Sequence, residues 1–297
     1  MFDFQKMRQQ VIEGAGFIAA LDQSGGSTPK ALKQYGVTPE DYSGDAEMFA
    51  EMQKMRARIM TAPSFSADKV IGAILFEKTL SETVEGMAVP TYIWEQRGVV
   101  PFLKIDKGLE ERANDVQVMK PIPGLAETLA AARPLGIFGT KERSVIHEAN
   151  AEGIAQIVEN QFEVAKTVIA AGMVPVIEPE IDINSSTKAE AEEMLAEALL
   201  AKIETLEPGQ DVMLKLTIPE RCGQYDALAD QSNVLRLVAL SGGYSTQEAC
   251  ARLSKQPKMI ASFSRALTEG LQRSQDNIAF QSALGTNIDA IYGASAA

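Results

Sequence analysis

Short apolar runs recur along the chain and alternate with segments that have the spacing of helices. The runs are often β-branched and cover residues 17–22, 71–76, 99–106, 137–141, 173–180, 212–217, 234–243 and 259–264. Each is typical of a strand that is buried on both faces of a parallel sheet. Helical spacing appears between them, as in 46–60, 155–171 and 187–206. Eight alternating units in 297 residues predict an α/β fold, a (β/α)8 TIM barrel, as one domain over residues 1–297.

Charged residues and glycines stand where most of these predicted strands end. In a (β/α)8 barrel the chemistry lies at the carboxyl ends of the strands, so these residues are expected to share one face. We expect the fourth strand to end at Lys141, with Arg143 just beyond it. In chain order the strand-end residues are Asp22, Lys104, Asp106, Lys141, Arg143, Glu178, Glu180, Lys215, Ser241, Gly242, Gly243, Ser264 and Arg265.

Three lysines, Lys104, Lys141 and Lys215, lie in or at the end of apolar runs. Lysine is almost never fully buried without a partner, because burial disfavours the charged amine. A lysine that is neutralised in this way is a nucleophile. The pattern therefore predicts amine chemistry at the strand ends.

Carboxylates accompany the lysines. Glu178 and Glu180 alternate along an extended segment, and we expect them to point to different sides of it. One then faces the barrel axis near Lys215 or Lys141 as a proton-transfer group, and the other supports it. A buried ion-pair network without chemistry is the alternative, since such networks also perturb pKa values. For Asp22 the alternative is a structural ion pair with one of the lysines.

Glycine-containing loops follow the first and seventh predicted strands. Residues 241–243 precede a helix for which Thr246 is the predicted N-cap, and backbone amides in such a loop can approach an anion. Arg265 on the neighbouring strand favours a phosphate site there over an ordinary turn. At the end of the loop after the first strand, Ser27 or Thr28 is the predicted N-cap and Pro29 the first helical residue, so this part of the loop needs no ligand to explain it.

Composition removes several classes of function. With 28 basic and 40 acidic residues, the chain is not expected to bind nucleic acid or an anionic membrane, and an anionic small substrate needs a locally positive pocket. His147 is the one histidine and is predicted early in a helix. A zinc site with several histidines or a serine-histidine triad is therefore not expected. Cys222 and Cys250 form no spaced pair, and no signal peptide or membrane span is apparent; we expect a cytoplasmic protein.

Seven segments, taken in order, resemble the signature segments of class I, Schiff-base-forming fructose-bisphosphate aldolases, most closely the shorter bacterial form. They span essentially the whole predicted barrel. Any one segment would be a weak match, but seven in the same order make a specific match. The segments are AALDQSGGS at Asp22, FLKIDKG at Lys104, GTKER at Lys141, VIEPE at Glu178, LKL at Lys215, LSGG at Ser241 and SFSRAL at Arg265.

The resemblance implies roles for the central residues. Lys215 attacks the substrate ketone and becomes the Schiff base, and the positive charge of Lys141 helps to keep Lys215 neutral. Glu178 shuttles protons, with Glu180 beside it. Asp22 orients substrate hydroxyls and the neighbouring lysine.

The resemblance also implies two phosphate-binding groups. Lys104 and Arg143 hold the substrate chain and one phosphate, while Ser241, Gly242 and Arg265 hold the other. The remaining predicted substrate-binding residues are Gly243, Ser264, Ser24 and Ser27. A protonated imine is itself an electron sink, so no metal and no other cofactor is predicted; a metal-dependent aldolase would usually employ several histidines.

Two positions depart from the pattern of longer relatives. Ser264 stands where those relatives tend to have glycine. They also carry a C-terminal tail that ends in a tyrosine, whereas Tyr292 is expected in or just after the last helix. Protonation of the enamine is therefore not assigned to any residue.

The sequence thus predicts an enzyme, a carbon-carbon lyase of glycolysis and gluconeogenesis with a sugar-phosphate substrate. The reaction that the resemblance implies is the reversible cleavage of fructose 1,6-bisphosphate into dihydroxyacetone phosphate and glyceraldehyde 3-phosphate. One alternative is another Schiff-base aldolase with a different aldehyde partner. A second is a catalytically silent barrel that only binds sugar phosphates or acts as a scaffold. The oligomeric state, including a homo-oligomer, is left open.

Overall fold

The computed structural model describes residues 2–297 and contains a ring of eight parallel strands. Each strand pairs with the next, and between the last and the first the amide of Ala20 donates to the carbonyl of Phe263 at 3.4 Å. The prediction of a (β/α)8 barrel is confirmed. The strands are β1 (Phe17–Leu21), β2 (Val70–Leu75), β3 (Val100–Lys104), β4 (Gly139–Ile146), β5 (Val174–Ile181), β6 (Val212–Thr217), β7 (Val234–Leu240) and β8 (Met259–Ala261).

Helices separate the strands and cover the barrel. The predicted helices at 46–60, 155–171 and 187–206 correspond to α3, α6 and α7, with ends that differ by up to four residues. The helices are α1 (Phe4–Glu13), α2 (Ser27–Gln34), α3 (Gly44–Thr61), α4 (Val89–Arg97), α5 (Leu125–Ala132), α6 (Ala151–Ala170), α7 (Lys188–Ile203), α8 (Asp226–Ala229), α9 (Thr246–Leu253), α10 (Arg265–Thr268) and α11 (Asn277–Ser295). None of the helices within residues 2–297 has the length and hydropathy of a membrane span.

The amino ends of the strands are closed by α1. Met7 and Val11 are fully buried in the barrel interior, where they join a cluster that includes Ile18 and Phe102. Burying side chains of this size stabilises the fold by about 1.5–3 kcal/mol each. Arg236 on β7 donates to the carbonyls of Val11 at 2.9 Å and Gly14 at 2.7 Å. The interior is therefore sealed at this end.

Strand β4 is longer than the sequence predicted. The expectation that it ends at Lys141 is wrong, because both Lys141 and Arg143 lie within it. Its second half pairs with β5 as far as Ile146 and also pairs with the short strand Val116–Gln117, which extends the strand. The prediction of a helical His147 is wrong for the same reason, since this residue directly follows β4 and precedes α6.

Two predicted N-caps are also displaced by one or two residues. The N-cap of α2 is Gly26, and the hydroxyl of Ser27, the first helical residue, donates to the Ser24 carbonyl at 2.8 Å. The N-cap of α9 is Ser245, whose hydroxyl accepts from the Glu248 amide at 3.2 Å. The Ser245 side chain therefore caps α9, whereas the Gly26 cap of α2 has no side-chain hydrogen bond.

Candidate active site

A cavity of about 770 Å³ opens at the carboxyl ends of the strands. Seven basic and five acidic side chains line it, an excess of positive charge in a chain whose net charge is −12. This is the locally positive pocket that an anionic substrate requires. The predicted site residues that line it are Asp22, Ser24, Ser27, Lys104, Lys141, Arg143, Glu178, Glu180, Lys215, Ser241, Gly242, Ser264 and Arg265. Gly243 instead lines a smaller adjacent cavity, which also contains Arg265.

The centre of the cavity is a cluster of two lysines and three carboxylates, here called the lysine-carboxylate cluster. Lys141 Nζ lies 2.8 Å from Asp22 Oδ2, 2.9 Å from Glu178 Oε2 and 3.9 Å from Asp106 Oδ2. Lys215 Nζ lies 3.0 Å from the other oxygen of Glu178. One carboxylate therefore bridges the two lysines. Lys141, Lys215 and Glu178 are each at most 4% exposed.

Electrostatics within this cluster favour charged forms despite burial. Burial opposes ionisation of Asp22, but Lys141 and Lys215 outweigh it and hold the pKa of this carboxyl well below its usual value. Burial likewise opposes the charge on Glu178, and the same two lysines lower its pKa. Burial disfavours the charged form of Lys141, yet Asp22, Glu178 and Asp106 together raise its pKa above its ordinary value. Lys141 is thus a permanent cation and the two carboxyls are anions at neutral pH.

Glu178 and Glu180 both face the cavity, so the expectation that they point to different sides is wrong. Residues two apart on a strand lie on the same face, and β5 continues as far as Ile181. Glu180 Oε2 accepts from Arg143 Nε at 2.5 Å. Burial opposes the charge on Arg143, and Glu180 outweighs it and raises the pKa of the guanidinium.

The loop after β7 has the backbone that the two glycines permit. Gly242 and Gly243 have φ values of 60° and 130°, in the range that favours glycine. A Cβ on Gly242 would lie 2.5 Å from the Ile183 side chain. The Gly243 amide donates to the Ser241 carbonyl at 2.7 Å and is used within the turn. The amide of Gly242 is therefore the better candidate for an anion contact.

Several cavity residues were not selected from the sequence. Asp106, which was placed at a strand end but not among the site residues, lies 3.9 Å from Lys141 Nζ and also accepts from Lys104 Nζ at 2.7 Å. Its position two residues after Lys104 was the available signal. Gln23, Lys30 and Ser262 also line the cavity. They lie in a loop, on a helix and after a short strand, where no periodic pattern marks the side that they face. Within residues 2–297 no group of three or more histidine, cysteine or carboxylate side chains is arranged to hold a metal ion.

Glu142 is a buried carboxyl next to the cavity but not part of its lining. It is fully buried on β4 between Lys141 and Arg143, so it lies on the opposite face of the strand. The Thr140 hydroxyl donates to it at 3.3 Å, and its other oxygen has no hydrogen-bond partner within residues 2–297. Burial raises its pKa well above the usual range.

The model of one protein family, class-I fructose-bisphosphate aldolase, matches residues 4–220. A fructose-bisphosphate aldolase class 1 from Synechocystis sp. is 52% identical over 291 residues, which are 98% of this chain and 97% of that protein. The chain belongs to the class I fructose-bisphosphate aldolase family. The match includes Lys104, Lys141, Glu178 and Lys215 within the residues covered by the family model.

Solved structures agree with this family assignment at the level of the fold. A fructose-bisphosphate aldolase from Plasmodium falciparum superposes with a TM-score of 0.78 at 18% identity and covers 99% of this chain and 94% of its own. The protein Cgl0159 from Corynebacterium glutamicum superposes with a TM-score of 0.56 at 12% identity, covering 98% and 92%. Both likenesses concern the barrel architecture.

Proposed function

We propose that Lys215 is the Schiff-base lysine of this class I fructose-bisphosphate aldolase. The observation that carries the proposal is the 3.0 Å contact between Lys215 Nζ and Glu178, whose other oxygen contacts Lys141 at 2.9 Å. A lysine amine next to a carboxylate proton carrier and a permanent cation has the parts needed for imine formation. The reaction is the reversible cleavage of fructose 1,6-bisphosphate into dihydroxyacetone phosphate and glyceraldehyde 3-phosphate.

The steps up to carbon-carbon bond cleavage each have a candidate group. Lys215 first gives a proton to Glu178, and its amine then attacks the ketone carbon. The attacking nitrogen gives a second proton to the former carbonyl oxygen, Glu178 returns the first one, and this oxygen leaves as water. The protonated imine then accepts the electron pair of the cleaved carbon-carbon bond and stores it as an enamine. The hydroxyl next to that bond loses its proton to Glu178 and becomes the aldehyde. The group that reprotonates the enamine is left unassigned.

Lys141 and Asp22 prepare the site. The cationic Lys141 lies between Asp22 and Glu178 and contacts both carboxylates. Asp22 holds Lys141 and presents its remaining acceptor capacity to substrate hydroxyls. Because these groups are held by buried ion pairs, they are already oriented when the substrate arrives.

The two phosphates occupy opposite ends of the cavity in this proposal. Lys104 and Arg143, on β3 and β4, bind one phosphate, and Arg265 with the loop after β7 binds the other. The further roles of Ser24, Ser27 and Ser264 are hydrogen bonds to the sugar phosphate. A cytoplasmic location and a single domain over residues 1–297 complete the proposal, with no nucleic-acid or membrane partner; the oligomeric state is open.

Trapping the imine tests the assignment directly. The protein is incubated with dihydroxyacetone phosphate and borohydride, with and without a chelator, and the adduct is located by intact mass and peptide mapping. We expect one chelator-insensitive adduct on Lys215 and loss of activity. Lys215→Met should lack both the adduct and activity while remaining folded.

Other outcomes distinguish the alternatives. An adduct on Lys141 instead would overturn the assignment of Lys215. No adduct on folded protein would favour the silent binding barrel. A trapped adduct combined with better turnover of a non-phosphorylated or different-length sugar would indicate an aldolase with another aldehyde partner.

A further inference from the structure

Arg56, on α3, is a buried cation that the proposed mechanism does not use. Its side chain is 2% exposed, and its guanidinium lies 5.8 Å from the ring centre of Phe76. Its hydrogen bond goes to a backbone carbonyl rather than to a carboxylate, since Arg56 Nη2 donates to Gln23 O at 2.6 Å. Arg56 Nε has no hydrogen-bond partner within residues 2–297. A guanidinium held in this way is costly to bury.

The carbonyl that Arg56 holds belongs to a residue that ties two strands together. Gln23 directly follows Asp22, and its side-chain amide donates to Ala20 O at 3.2 Å and to Ser264 Oγ at 2.7 Å. Since a carbonyl only accepts, the contact with Ala20 identifies the nitrogen of this amide. Gln23 therefore joins the end of β1 to the segment that follows β8.

This connection reaches two parts of the candidate site. On one side of Gln23 is Asp22, which lies 2.8 Å from Lys141. On the other is Ser264, which is followed by the proposed phosphate ligand Arg265. Burial lowers the pKa of Arg56 to about 10, and the negative charge of Asp22 opposes that shift, so the guanidinium stays charged at neutral pH.

We propose that Arg56 is a positioning residue, which holds the Gln23 carbonyl so that Asp22 keeps its contact with Lys141 and Ser264 stays beside the phosphate site. Arg56 does not touch the substrate. It acts through the loop at residues 22–26, which is half-buried at 22–24 and exposed at the two glycines, and which lines the cavity. The inference rests on the proposed roles of Asp22 and Lys141.

The test compares Arg56→Met with a matched control, Arg97→Met. Arg97, at the end of α4, also donates from Nη2 to a backbone carbonyl at 2.6 Å, that of Thr61, and its Nε also has no hydrogen-bond partner within residues 2–297. Neither arginine lines the cavity; the difference is that Gln23, whose carbonyl Arg56 holds, lines it and Thr61 does not. For each variant we measure the melting temperature, kcat and KM for fructose 1,6-bisphosphate cleavage.

We expect Arg56→Met to lower kcat by roughly 10- to 100-fold, because small displacements of catalytic groups are this costly. Arg56→Lys keeps the charge and an N–H donor, and should restore kcat to within about threefold of the wild type. Arg97→Met should lower the melting temperature with little change in kcat. If Arg56→Met does not fold, Arg56→Gln, which keeps a donor without the charge, replaces it and should lose at least about threefold in kcat.

A wild-type kcat in a folded Arg56→Met or Arg56→Gln variant would overturn the inference, as would an equal loss of kcat in Arg97→Met. These failures are separate from failure of the proposed function. If the wild-type protein forms the Lys215 adduct and cleaves substrate, the function stands whatever the Arg56 variants do.

Discussion

Replacing Lys141 by methionine should destabilise the protein strongly and in a pH-dependent way. The ammonium of Lys141 is the hydrogen-bonding partner of Asp22 and one of two cationic partners of Glu178, at 2.8 and 2.9 Å. Methionine fills much of the same volume but leaves Asp22 buried without that partner. Removing one member of a buried ion pair costs about 3–5 kcal/mol, so we expect a loss of this size in the free energy of unfolding at pH 8.

The sign of the pH dependence follows from the two carboxyls. In the wild type their pKa values lie below the ordinary values, so their stabilising contribution is present above about pH 4 and is lost as the pH falls further. In Lys141→Met, burial of Asp22 is no longer opposed by Lys141, and its pKa rises. The folded variant then prefers the protonated carboxyl and loses stability as the pH increases. The difference in the free energy of unfolding between wild type and variant should therefore increase from pH 5 to pH 8.

Urea unfolding at both pH values measures this gap, with the slope of the transition compared to check that the unfolded state is unchanged. Lys69→Met is the control, because Lys69 forms an exposed ion pair with Asp289. It should have little effect at either pH. Adding Asp22→Asn to Lys141→Met should recover part of the loss. A loss below about 1 kcal/mol at pH 8, or an equal loss at pH 5, would refute this account of the cluster.

Two further predictions concern single charged residues. Arg265→Ala should raise KM for fructose 1,6-bisphosphate by roughly 10- to 100-fold, which is the loss expected for a hydrogen bond to a charged group. The exposed Arg221→Ala is the control and should leave KM unchanged. An unchanged KM in Arg265→Ala would show that Arg265 does not bind phosphate. Glu142→Gln should increase the free energy of unfolding at pH 8 and change it little at pH 5. Burial raises the pKa of Glu142 in the folded state, so the wild type loses stability as the pH rises above about 4, a loss that glutamine avoids. Urea unfolding checks this, and a lower stability of Glu142→Gln at pH 8 would contradict it.

The local pattern determined much of the fold. Strands buried on both faces produce continuous apolar runs, and these predicted all eight barrel strands, although the end of β4 was misplaced. That end depends on pairing with β5 and with Val116–Gln117, which are separated from Lys141 by intervening segments. The length of β4 therefore depends on the strands that pair with it as well as on its own apolar run.

The sequence alone also determined which residues lie at the catalytic end of the barrel, because the carboxyl ends of parallel strands share one face and the segments around Lys215 and Lys141 resemble those of one family. Only the tertiary structure decided which groups meet. Glu178 bridges two lysines, and Asp106 joins them, because strand register sets those distances. The contact of Arg56 with Gln23 likewise joins residues 33 positions apart, and no local periodicity encodes it.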